Sequence, residues 1–456
     1  MPMTTDRNQV QDYCNRRWRC EHCGAEHVVP TRRVVIGPGA IRELPEVLDE
    51  LELGRKVHLL ADENTFSAAG EKAADVLAAA GFSTQKTILT GAVHADEHEL
   101  ERLRRELDGN ADCLCSVGAG TINDLGKRIA LEKKKPFVSV ATAASMNGYG
   151  SPIAAVMDQG VKITLEAAPT AAIVADLDVL TAAPVRMARA GVADLLGKPV
   201  ANSDWQLSHA LTGSPPFCPV PMTMLDDAIA QLEAHADGVG RSETEAIREL
   251  IEALIISGFS MTVAGHSSPA SGGEHFISHY WDMQAVAQGR EHDLHGLQVG
   301  LGTLLTATLY ERLRNYDPDR IDVKALAEAS PDRKTWESRL RRAHGPLFEA
   351  VLPEAEKKFM TGPQRKALLT RIKRQWQDLW SVLGERLVSA ESIRAVFRRA
   401  GVPLRGEELG LTRPQVKHAL LHARDLRKRF TVLDLAAELG VLSDWADSVT
   451  AASGVA

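Results

Sequence analysis

Short apolar runs punctuate the first third of the chain at intervals set by longer amphipathic stretches. KVHLLAD (56–62), TQKTILT (84–90), DCLCSVG (112–118) and PFVSVAT (136–142) have the length and content of strands. Between them, Ser67 to Ala80 and Glu97 to Leu107 repeat their apolar positions at helical spacing. Strands alternating with helices predict an α/β layer built on a mostly parallel sheet. VKITLEA and AAIVADLDVL extend this pattern to about Leu180. From Pro184 to Asp447 nearly every segment has helical period, broken by Pro and Gly, with no convincing strand. The change of class near 184–191 divides the chain into an arm (1–31), an α/β unit (32–188) and an all-α unit (189–456), with a cleft expected between the last two.

The 456 residues are enough to bury such a cleft. A formal net charge of −7 excludes a general attraction to nucleic acid or anionic membrane. The late basic clusters, RDLRKRF among them, alternate with other residue types and read as solvated helix faces. The N-terminus carries no apolar stretch of signal-peptide length, and the longest apolar run, Leu250 to Ala264, is interrupted by Glu252; a cytoplasmic protein without a membrane span is expected. Six cysteines make no disulfide framework. Cys14, Cys20, Cys23 and His27 together offer four soft ligands around one CxxC, a zinc pattern, although reduced thiols on an arm fit as well. Cys113, Cys115 and Cys218 are assigned no chemistry.

Two turns carry candidate binding chemistry. SVGAGTINDLGK (116–127) follows a strand and opens a helix, where backbone N–H groups and the helix dipole can hold a phosphate, so the α/β unit is read as a Rossmann-like dinucleotide-binding domain. It is neither G-x-G-x-x-G nor a P-loop. Asp62 ends an earlier strand and suits either an adenosine ribose or a helix cap. ATAASMNGYGSP (141–152) ends another strand with small residues and the polar Ser145, Asn147 and Ser151. In the helical half, SGGEHFISHYWDM sets His275 and His279 four apart on one helix face. The order E-H-x-x-x-H is not the H-E-x-x-H of a zinc protease. With Asp194 upstream and His292 or His295 downstream, one carboxylate and two imidazoles would make a divalent metal site, but spacing alone leaves open which histidines take part.

The succession GxGT–ND, TAAS-x-x-G, ADLLGK, SGGEHFISHYWDM and HGLQVGLGT, from about Arg32 to DLRKRFTVLDLAAELG, resembles the glycerol-1-phosphate dehydrogenases, above all the bacterial metal-dependent type, within the iron-dependent alcohol dehydrogenase and dehydroquinate synthase superfamily. The resemblance implies Asp194, His275 and His295 as ligands of one divalent metal (zinc, nickel or iron) and His279 as a substrate contact. It also implies Gly118, Gly120 and Thr121 at the pyrophosphate of NAD or NADP, Thr142, Ser145 and Ser151 along the same cofactor, and Asp124 near the nicotinamide. Asp62 leans toward NAD by repelling a ribose phosphate. Two departures stand out: Ala119 replaces the middle glycine of a GGG turn, and Asn147 replaces a substrate-contacting aspartate, keeping shape while losing charge.

The implied reaction is reversible NAD(P)H-dependent reduction of dihydroxyacetone phosphate to sn-glycerol-1-phosphate, with Lys198 and Arg290 as candidate phosphate contacts and a homodimer as a plausible assembly. Asn147 keeps open a dehydrogenase of another small polyol or ketone, or a dehydroquinate-synthase-like cyclase. A non-catalytic metal-binding interaction protein is the reading from a different class.

Overall fold

The computed structural model describes residues 9–107, 109–158, 160–384 and 386–456. Ten strands fall in the first 176 residues: β1 (Arg16–Arg19), β2 (Glu26–Val29), β3 (Arg33–Gly37), β4 (Lys56–Asp62), β5 (Ser83–Leu89), β6 (Cys113–Gly118), β7 (Phe137–Ala141), β8 (Ile153–Asp158), β9 (Val161–Glu166) and β10 (Thr170–Asp176). Six of them form one sheet in the order β3-β10-β7-β6-β4-β5. Every pairing in it is parallel, as strands buried on both faces by crossover helices require. β6 is buried at all six positions, which is why DCLCSVG reads as a continuous apolar run without alternation.

Each expected strand forms, within a residue or so of its bounds. AAIVADLDVL does not stay extended: it turns at Asp176, whose carboxylate accepts from the N–H groups of Asp178, Gly39 and Ile41 and pairs with Lys72. That carboxylate caps the Leu177–Ala182 helix, which starts where the strand stops. Two antiparallel hairpins, β1–β2 and β8–β9, lie outside the large sheet. The short β1, with three of its four residues exposed, carries no apolar pattern from which to infer it.

The order of strands positions a crevice. β4 is followed by its neighbour β5 on one side, while β6, on the other side of β4, is followed by β7 farther away. Connections leaving the ends of β4 and β6 therefore diverge, the switch point at which parallel sheets bind ligands. Beyond Asp176 the described residues are helical, and no helix among them is long and apolar enough to cross a membrane. The helices Val185–Leu196, Thr244–Ala264, Gly273–Ala287 and His295–Arg314 make the centre of this half, with Ile251, Leu254, Ile277 and Leu301 fully buried in one continuous core.

Candidate active site

Asp194, His275 and His295 come from three different helices, yet one ligand atom from each lies within 4.8 Å of the others. Small residues allow this approach. A Cβ on Gly296 would sit 2.1 Å from the Ala190 carbonyl, and one on Gly302 would sit 2.5 Å from that of Glu274, so larger residues would push the His295–Arg314 helix off both neighbours.

Each imidazole is oriented from behind. His275 Nδ1 is 2.8 Å from Glu274 Oε1, and its Nε2 faces Asp194 Oδ1 at 3.4 Å. Ser278 donates its single hydroxyl proton to Gln298 Oε1 (3.0 Å), so it accepts from His295 Nδ1 (3.1 Å) and leaves the Nε2 lone pair of His295 free. Burial, then the Lys162 ammonium, holds His295 and His279 well below the ordinary imidazole range, so both rings are neutral. Burial alone would raise the Asp194 carboxyl, but Lys198 at 2.8 Å and the two imidazoles hold it below the usual carboxylate range. Its Oδ2 is buried and has no hydrogen-bond partner. A buried carboxylate oxygen without a donor, beside two imidazole nitrogens turned toward the same point, is the donor set that a divalent cation completes.

His279 stacks on His295 with ring centroids 5.4 Å apart, lines the large cavity, and keeps a buried Nδ1 without a partner. The cavity, about 1150 Å³, runs from the β8–β9 hairpin past Phe276 and His279 to Arg427 and Arg429. Arg427 donates only to the backbone carbonyls of Leu426 and Lys162, and Arg429 to Ser271 and Ser267; neither has a carboxylate ion pair among the described residues. Burial pushes both guanidinium groups down, Arg429 to about 10. RDLRKRF is therefore not a solvated helix face: the helical turn ends at Leu426, and the following loop directs cations into the cavity. Lys198 is buried against Asp194 and the Ala270 carbonyl, and the exposed Arg290 is bonded to Gln288, so neither is free for a phosphate. His292 pairs with Asp282 (3.3 Å), apart from the Asp194 cluster.

At the crevice, Gly118 ends β6 and Gly120 opens the Gly120–Glu132 helix, with the half-buried Thr121 next to it. A Cβ on Gly118 would meet that of Ile122 at 2.4 Å, so the turn closes only with glycine there. Thr142 and Ser145 are buried in the adjoining loop, and the Thr142 N–H reaches the Gly118 carbonyl (3.3 Å). Asp62 is half-buried at the end of β4, where it forms a capping box with Thr65. Lys127 and Asn123, not singled out from sequence, fasten the second loop: Lys127 Nζ donates to the Gly148 carbonyl (2.9 Å) and Ser151 Oγ (3.3 Å), and Asn123 donates to the same carbonyl. Asp124 is engaged with Lys127 (2.9 Å) and the Ala155 N–H (3.0 Å), and Asn147 donates to Ser257 Oγ (3.1 Å).

The parallel sheet with its switch point stands beside a helical half carrying one carboxylate and two imidazoles. The profile described as iron-containing alcohol dehydrogenase matches residues 35–184. The fold is that of glycerol dehydrogenase from Schizosaccharomyces pombe (TM-score 0.59, 18% identity, 93% of this chain and 92% of the other) and of a probable glycerol dehydrogenase from Sinorhizobium meliloti (TM-score 0.59, 19% identity, 92% and 98%). Sequence narrows the relationship. The chain is 42% identical over 297 residues to glycerol-1-phosphate dehydrogenase [NAD(P)+] of Halalkalibacterium halodurans, covering 64% of this chain and 74% of that one. It is 31% identical over 411 residues to the Bacillus subtilis protein of the same name, covering 89% and 91%. The chain belongs to the glycerol-1-phosphate dehydrogenase family.

Proposed function

We propose that the chain catalyses the reversible reduction of dihydroxyacetone phosphate to sn-glycerol-1-phosphate by NADH or NADPH, with a divalent cation held by Asp194, His275 and His295. The observation that carries this reading is the convergence of those three side chains beside a cavity lined in part by Arg427 and Arg429, neither of which has a carboxylate ion pair among the described residues. The cation supplies Lewis acidity toward a carbonyl oxygen and the nicotinamide supplies the hydride.

The protein's own part is to bind, orient and manage protons. Glu274 and Ser278 fix the two imidazoles so that both present Nε2 to the same point. His279, neutral and unpartnered at Nδ1, is available to hydrogen-bond a substrate hydroxyl and to pass the proton that balances hydride transfer. Arg427 and Arg429 anchor the phosphate: two half-buried cations without counter-ions gain most from a dianionic ligand. The Gly118–Gly120 turn admits the pyrophosphate to the N-terminus of the Gly120–Glu132 helix. Zinc, nickel and iron all suit one carboxylate and two imidazoles.

The test is oxidation of NADH followed with dihydroxyacetone phosphate, dihydroxyacetone and other small ketones, with the handedness of the product assigned. Rapid turnover of the phosphorylated ketone alone, giving the sn-1 product, is expected. Equal turnover of unphosphorylated ketones, or an sn-3 product, overturns the reading.

A further inference from the structure

We propose that Cys20, Cys23, His27 and Cys218 form a second metal site, a zinc centre that ties the N-terminal hairpin to the loop joining two helices of the far half. Ligand atoms of these four residues all lie within 4.8 Å of one another. Cys20 and Cys218 sulfurs are 3.6 Å apart, and His27 Nε2 is 3.5 Å from Cys23 Sγ and 3.4 Å from Cys218 Sγ. A tetrahedral zinc with bonds of about 2.3 Å to sulfur and about 2.0 Å to nitrogen places S···S at about 3.8 Å and S···N at about 3.5 Å. The distances match a shared central ion. They do not match a disulfide, in which the sulfurs stand about 2.05 Å apart, and all six cysteines are free.

The local backbone is shaped for the same purpose. Cys20-Glu21-His22-Cys23 makes a tight turn closed by Gly24 at φ 70, with the Gly24 N–H on the Cys20 carbonyl. The Cys20 sulfur accepts from the N–H groups of Cys23 and His22. The sequence pointed to Cys14 as fourth ligand and gave Cys218 no role; the fold reverses both. Cys14 donates to the Val10 carbonyl one turn away, whereas Cys218 is brought across 198 residues to Cys20. Three ligands are nearly buried, beside Trp205 and Met222. Ligation releases the thiol protons to solvent, leaving thiolates and a neutral imidazole around the ion. Three sulfurs and one nitrogen in a tetrahedral arrangement select zinc over magnesium, calcium or manganese.

The site does not touch the Asp194 cluster, but it fixes one wall of the cavity: Ser214 and Pro215, in the same loop as Cys218, line it. Its role is to hold, and it takes no part in hydride transfer.

Elemental analysis of the full-length protein tests this. A Cys23→Ser/Cys218→Ser variant should contain one zinc fewer per chain than wild type, while Cys14→Ser keeps the wild-type content. Folded His275→Ala protein refilled with cobalt(II) should show intense thiolate-to-cobalt charge-transfer absorption, which a carboxylate–imidazole centre cannot produce. The cobalt arm decides the matter even where the cysteine variants fail to fold. Unchanged zinc in the cysteine variant, cobalt protein without that absorption, or a native mass two hydrogens low from a Cys20–Cys218 disulfide would each overturn the proposal. None of these outcomes depends on the substrate assignment.

Discussion

Arg427 shows most directly how a single residue can carry recognition. Its guanidinium has only backbone carbonyls for hydrogen-bond partners among the described residues, and burial lowers its pKa, a setting in which an anionic ligand gains most. Arg427→Ala is expected to raise KM for dihydroxyacetone phosphate about 30-fold, from a lost charge-assisted contact of ~2 kcal/mol, and to leave KM for NADH unchanged. Equal rises in both constants would remove Arg427 from the phosphate subsite. Gly118 is the counterpart at the crevice. With Ile122 2.4 Å from where a Cβ would stand, Gly118→Ala should cost about 1–3 kcal/mol in urea unfolding and weaken NADH binding. At this scale the sequence was only partly legible. EHFISHYWDM and ADLLGK marked the residues that converge, because ligand types at helical spacing are visible in a string. Lys198 pairs with Asp194 one turn along the same buried face, which a string does not display, and nothing in RDLRKRF reveals where the helix stops. Cys218 has no neighbours in sequence that betray its partners, which lie some two hundred residues away.

Helices behind the site are joined by a buried carboxylate. Asp204, on the Lys198–Thr212 helix, accepts from the Gly273 N–H at the start of the His275 helix, from the Val432 N–H at the start of another, and from the Tyr310 hydroxyl of a third. Burial, then the neighbouring Glu274 carboxylate, pushes Asp204 up to about 7. An acid whose folded pKa exceeds its unfolded value binds its proton more tightly when folded. Its contribution is full below pH ~4 and is lost as pH rises through 7, a change of order 4 kcal/mol. The thermal midpoint of the wild type should therefore fall relative to Asp204→Asn between pH 4.5 and 7.5; parallel curves would show that Asp204 does not titrate there. The Gly120–Glu132 helix and the second loop are joined by Lys127, and Lys127→Met, which strips Asp124 of its buried partner, should destabilise by about 3–5 kcal/mol in urea unfolding. Many elements were readable in advance, since apolar runs of strand length and a period of 3.6 persist through them. β1, β2, β3 and β8 were not; β1 is exposed, and all four are short, at four to six residues.

In the whole molecule, the crevice at the sheet's switch point and the Asp194–His275–His295 cluster come from different halves, and the β8–β9 hairpin spans the gap. Lys162 of that hairpin meets the buried Asp282 of the His275 helix at 2.7 Å, while Val161 and Thr164 form cavity wall. The α/β-then-helical order was legible from pattern alone. Which faces meet was not, because the halves share one apolar core, with Val34, Tyr149 and Ile173 in the same cluster as Ile251 and Leu254, and an apolar position in a string does not name its partner. The account depends above all on one cation shared by Asp194, His275 and His295, and anomalous diffraction at the metal edge from crystals of the active protein locates it most directly. The account predicts a peak within coordination distance of one Asp194 oxygen and the Nε2 atoms of His275 and His295. A fully active crystal with no such peak, or with those side chains turned to separate partners, would contradict it.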